Sequence, residues 1–83
     1  MSRFALIDAS SNGDLSQVKQ LLSSGADPIA YSNLAVRMAS FKGYMTIVLV
    51  LVEHGADIDW AISCASRENK AVLLQWKYSF KPL

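Results

Sequence analysis

Apolar side chains recur along the chain at helical intervals, in two runs that copy one another. Leu15, Val18, Leu21 and Leu22 fall at i, i+3, i+6 and i+7, which is one face of an α-helix. Met45, Val48, Leu51 and Val52 repeat that spacing thirty residues later. Ahead of the runs, Ala5/Ala9 and Ala35/Ala39 are pairs at i, i+4, and Ala61/Ala65 is a third such pair. Each places two small side chains on one helix face, where a neighbouring helix can approach closely. The pattern predicts helix, tight turn, helix. Taken alone, TIVLVLV (46–52) would suit a strand, because β-branched residues favour strands. Its counterpart SQVKQLL (16–22) has helical period and no alternation, and one kind of unit must serve both copies.

The copies extend well beyond the apolar positions. Residues 9–27 align without a gap on residues 39–57, matching Ala9 to Ala39, Gly13 to Gly43, Val18 to Val48, and Gly25-Ala26-Asp27 to Gly55-Ala56-Asp57. Gly13 and Gly43 stand where the chain must reverse between helices, a place for positive φ. A third copy begins at the shorter spacing of twenty-six, with residues 59–66 on 33–40. It then degrades: Asn69 stands where Gly43 did, Ala71 replaces Met45, and no third Gly-Ala-Asp follows. Asn tolerates the left-handed conformation, so the third unit is expected to turn at Asn69. The predicted fold is all-α, a single domain over residues 1–83. It is a stack of helix-turn-helix repeats at approximately 4–32, 33–58 and 59–80, two full and one partial.

These residues resemble ankyrin repeats. The family pattern G-x-L-x-x-V-x-x-L-L-x-x-G-A-D is met by Gly13, Leu15, Val18, Leu21, Leu22, Gly25, Ala26 and Asp27. In the second copy Met45 and Val52 replace two leucines. The Thr-Pro-Leu-His that opens the family's first helix reads here Phe4-Ala5-Leu6-Ile7, Leu34-Ala35-Val36-Arg37 and Trp60-Ala61-Ile62-Ser63. Its Leu-type position survives, while the bracing Thr and His do not. The spacing is also short of the family's ~33 residues. The loss falls in the loop after Gly-Ala-Asp, where the family builds a projecting hairpin finger. Pro28 to Ser32 leave room for one short finger, and Ile58 leaves almost none. Shortened repeats of this kind are similar to those of large DNA viruses. That likeness implies a host protein as partner, an inhibitory or recruiting role, and host cytoplasm as the compartment.

Composition narrows the chemistry. The 83 residues carry eight Lys and Arg against seven Asp and Glu, a net charge of +1 with no basic run. Neither nucleic acid nor an anionic membrane is expected as a partner. The most apolar run, Met45 to Val52 with Thr46 interrupting it, is far short of the ~20 residues of a membrane span. Residues 1–8 do not read as a secretory leader. The single cysteine, Cys64, has no partner for an internal disulfide, which fits a reducing, cytoplasmic setting. By alignment with Met38 it reads as a small buried apolar residue. His54, just before Gly55, reads as an exposed residue at a helix end. No ligand set for zinc, phosphate loop or acid–base pair is visible, so neither an enzyme nor a cofactor is expected.

What remains is surface. Charged residues are scarce at 18% and apolar ones plentiful at 52%, which favours outward-facing apolar side chains. The resemblance implies partner binding on a concave face, which by alignment holds Tyr31, Asn33, Phe41, Lys42, Arg67 and Glu68, with Ser32 and Asp59 beside them. Phe41 stands out because its counterparts, Ser11 and Arg67, are polar. It either meets a partner or packs on Tyr31 or Tyr44. A second surface competes. Leu49 and Val50 align with Lys19 and Gln20, and with Gln75 and Trp76 in the third unit. Leu49, Val50 and Trp76 therefore form a candidate back-face patch for a homo-oligomer. The aromatics Trp76, Tyr78 and Phe80 either cover the last helix pair or form an interface. The expected function is a protein–protein interaction module, with a structural homo-oligomer as the alternative.

Overall fold

In the computed structural model residues 4–79 are described, and they form six α-helices with no strand among them. The helices pair in chain order as α1 (Ala5–Asn12) with α2 (Leu15–Ser23), α3 (Ala30–Phe41) with α4 (Met45–Glu53), and α5 (Ile58–Cys64) with α6 (Arg67–Ser79). The first two tight turns follow the glycines. Gly13, at φ 75°, donates its N–H to Ser10, and Asp14 N–H reaches Ala9 O at 3.0 Å. Gly43 and Tyr44 repeat the same two bonds, to Ser40 and Ala39. This is the paired closure that a left-handed residue makes at a helix C-terminus. Asp14 then caps α2, its carboxylate accepting from Gln17 N at 3.1 Å.

The third unit turns elsewhere. Asn69 does not take the glycine's place; it lies inside α6. With asparagine where the earlier units have glycine, the chain leaves α5 earlier, in extended geometry at Ala65. It starts again at Ser66, whose hydroxyl accepts from Asn69 N at 3.3 Å and so caps α6. Thus α5 is short, at seven residues, and α6 is long, at thirteen. Asn69 still lies against the second turn: its Nδ2 would be 3.6 Å from a Cβ on Gly43.

The inner helices α1, α3 and α5 form one tightly packed layer, with α3 packed most extensively against α5 and α1. Alanine makes this possible: Ala9, Ala35, Ala39 and Ala61 are all buried, Ala39 and Ala61 completely. The outer helices contribute Val18, Leu21 and Leu22 from α2, and Ile47, Val48 and Leu51 from α4. Ile47 is a departure from the expected face, since Gln17 at the same place is exposed. As the middle outer helix, α4 is covered over a wider arc than α2. Leu49, Val50, Met45 and Val52 also pack partly on the core. Third in the row, α6 sends in only Leu73 as a fully buried residue. Its far end is tied down by Lys77, whose ammonium donates to Asp59 at 2.6 Å. That hydrogen bond holds the Lys77 ammonium above its ordinary pKa. The tie is complete at neutral pH and is lost as pH rises through the raised value. Cys64 is half-buried and not sealed in the core. Phe80 lies outside the described residues.

Two buried serines test the stack. Ser40 Oγ donates to the carbonyl of Ala61 in the next inner helix, whereas its counterpart Ser10, equally buried, has no hydrogen-bond partner. Ser40→Ala should cost about 1–3 kcal/mol, because it strands a buried carbonyl. Ser10→Ala should be near neutral or stabilising. Urea unfolding of both variants checks this, and equal losses would contradict it.

Candidate partner-binding surface

The loops leading into the inner helices carry an unusual backbone. Asp27 opens the first with its carboxylate accepting from Ile29 N at 3.0 Å. No hairpin finger follows. Instead the start of α3 departs from right-handed helix: Tyr31, Ser32 and Asn33 all lie in the left-handed region, at φ 55°, 57° and 62°, and the regular helix runs from Leu34. Each such residue other than glycine costs roughly 1–2 kcal/mol, with Asn the best tolerated. Two contacts hold the turn. The Tyr31 ring lies 5.1 Å from that of Phe4, tilted by 40°. The Asn33 side-chain oxygen accepts from Asp57 N at 2.8 Å, across to the next loop. Asp57 in turn caps α5 by accepting from Asp59 N at 2.9 Å.

One residue further, Trp60 lies exposed on α5, with the Arg37 guanidinium 4.7 Å above its ring. Asp57, Asp59, Trp60 and Ser63 line a shallow cleft there. Phe4, Ile29, Tyr31 and Trp60 are all large, apolar and substantially exposed. They make a row in this sense: Phe4 touches Tyr31, Ile29 lies two residues before Tyr31, and the Asn33–Asp57 hydrogen bond brings in the loop that leads to Trp60. Of these, sequence reasoning singled out only Tyr31. The signal for two others was present: Phe4 and Trp60 are bulky aromatics where the resembled repeats carry a small polar Thr.

The six expected partner-binding residues do not form one cluster. Tyr31 and Asn33 share the left-handed turn, where Asn33 is half-buried and braces the loops. Phe41 and Lys42 stand at the other end of α3, with about 10 Å of helix between Leu34 and Phe41 at 1.5 Å per residue. Phe41 is 73% exposed. It packs on neither Tyr31 nor Tyr44: Tyr31 faces Phe4, and the Tyr44 ring covers Gly13. Arg67 and Glu68 were expected at the end of the third inner helix. The early break at Ala65 moves them into the first turn of α6, both exposed. The back-face patch is also smaller than expected. Leu49 and Val50 are half-buried against the core. Trp76, half-buried on α6, lines a groove with Val52, Glu53, Ile58 and Lys77. The large apolar side chains that α6 does expose are Val72, Leu74 and Tyr78.

Candidate chemistry stays with these surfaces. Among the described residues no group of three His, Cys, Asp or Glu could hold a metal ion, and no helix is long and apolar enough to cross a membrane. His54 is exposed at the end of α4, its Nδ1–H donating to Val50 O at 2.9 Å.

No family model matches the chain, and no solved structure does. Over 60 residues it is 43% identical to dynein axonemal heavy chain 12 of Bos taurus. Over 60 residues it is 40% identical to ankyrin repeat and SOCS box protein 14 of Mus musculus and of Homo sapiens. Each match covers 68% of this chain, but only 16% of the first relative and 10% of the other two. Two of these three relatives are thus named for ankyrin repeats, in keeping with an all-helical repeat chain.

The left-handed turn makes a stability prediction. Ser32 is exposed, and among the described residues its side chain makes no hydrogen bond. Ser32→Gly should raise stability by roughly 0.5–1 kcal/mol. The relief of about 1–2 kcal/mol outweighs glycine's extra flexibility when unfolded. A lower melting temperature in this variant would show that Ser32 is not held there.

Proposed function

We propose that the chain is an ankyrin-type repeat module that binds a partner protein and acts by blocking or recruiting it. The observation that carries this reading is the repeat stack itself, with large aromatic side chains left exposed at its loops and turns. Aromatic residues and Arg are the types that dominate binding energy at protein interfaces. The relatives named for ankyrin repeats support the same reading, and nothing in the site's geometry favours a chemical reaction. Phe41 belongs to the binding surface, with Lys42 beside it. Phe41→Ala should leave helicity unchanged and weaken capture of the partner at least tenfold. Loss of helicity would assign Phe41 to the fold instead, and a measurable partner affinity that survives the change would remove it from the surface.

A second reading has its own observation. Leu74 and Tyr78, four residues apart on one side of α6, are both exposed, Tyr78 to 61%, so that helix offers an apolar flank to a second copy. On this reading Leu49, Val50 and Trp76 contribute only their uncovered edges. Light scattering over a wide concentration range separates the two. A mass that stays at the 9.1 kDa of one chain favours the partner-binding module. A dimer abolished by Leu74→Lys favours self-association.

A further inference from the structure

The row formed by Phe4, Ile29, Tyr31 and Trp60 is flanked by two carboxylates, Asp27 and Asp57, that form no ion pair among the described residues, although the Lys77 ammonium bonded to Asp59 acts on Asp57 through its field. Asp27 and Asp57 each use one oxygen to accept from a backbone N–H in their own loop. Neither has a side-chain cation within ion-pair distance among the described residues, where the one ion pair is Lys77 with Asp59. The nearby Arg37 has its guanidinium over the Trp60 ring. We propose that this row receives a basic, apolar segment of the partner protein. Its Lys or Arg side chains would pair with Asp27 and Asp57, and its aliphatic side chains would cover the Tyr31 and Trp60 rings. The proposal rests on the partner-binding role above and adds the chemistry of what is bound.

Three features argue for this occupant. The exposed apolar area is split among four side chains drawn from three successive units, which suits a segment of chain better than a globular knob. An acidic segment would bring its charge beside Asp27 and Asp57, and like charges at close range oppose binding; the cations nearby, Arg37 on the Trp60 ring and Lys77 on Asp59, are already engaged. The loops are also held in place before any partner arrives. The Phe4–Tyr31 contact and the Asn33–Asp57 hydrogen bond join all three units, so little ordering is left to oppose association.

The test uses three labelled twelve-residue peptides and fluorescence anisotropy on the whole chain. One alternates Leu with Lys, one Leu with Glu, and one Ser with Lys. The Leu/Lys peptide is expected to bind at least tenfold more tightly than either of the others. Tyr31→Ala and Asp57→Asn should each weaken it threefold or more, with circular dichroism unchanged. Asn keeps the acceptor that caps α5, and Asp27→Asn supplies the same test should Asp57→Asn lose helicity. Tyr78→Ala, on α6, should leave binding as it was. The proposal is overturned if the Leu/Glu peptide binds equally well, if none binds, or if Tyr31 and both aspartates can be changed without effect. A fall in the mass of the chain alone on Tyr31→Ala would also overturn it, by giving the row to a second copy. Partner capture lost in Phe41→Ala but kept in Tyr31→Ala would leave the binding module standing and exclude this row from it.

Discussion

Everything in this fold depends on how closely the three inner helices can approach. Alanine at matched positions of α1, α3 and α5 removes the side-chain bulk that would keep them apart, and Ala39 and Ala61 are completely buried. At that range the Ser40 hydroxyl reaches the Ala61 carbonyl of the next helix. The outer helices then need only a stripe of Val, Leu and Ile to close the core behind the layer. A larger residue at Ala39 or Ala61 would force the units apart along their whole length, since interiors packed to crystal density have no slack to absorb it.

Much of this was legible in the sequence because it is written twice. The two ungapped copies fix the first four helices and two of the turns, and the glycines mark where φ turns positive. The third unit was harder to read, for a physical reason. Ala65 and Ser66 match the earlier Ala-Ser pairs by identity, yet here they end one helix and cap the next. Without glycine downstream, a good capping hydroxyl ends the helix earlier than the alignment implies. The left-handed turn was not legible at all. Tyr and Ser seldom adopt that conformation, and it is held by Phe4 and Asp57, distant partners that no local pattern announces.

The candidate surface follows from the same distinction. Residues whose exposure is decided by the repeat, such as Phe41, lie where the alignment put them. Residues that depend on neighbouring units do not. Leu49 and Val50 are half-covered because α4 is the middle outer helix, and Arg67 and Glu68 moved because α5 ended early. The row of Phe4, Tyr31 and Trp60 exists only through contacts between units, so a reading unit by unit could name its members but not assemble them.

The narrow seating of α6 has a consequence for how the molecule comes apart. One fully buried leucine, the half-buried Trp76 and one ion pair at its far end hold the thirteen residues of α6 in place. The layered helices before it are sealed on several sides. Free energies of local opening follow buried contact, so α6 should peel away well before the rest loses its shape. Amide hydrogens along α6 would then exchange with solvent through that partial opening, while those of α3 wait for global unfolding. The protein is in this sense a rigid block with a detachable flap, and the flap is the place where a protease or chaperone would first gain hold.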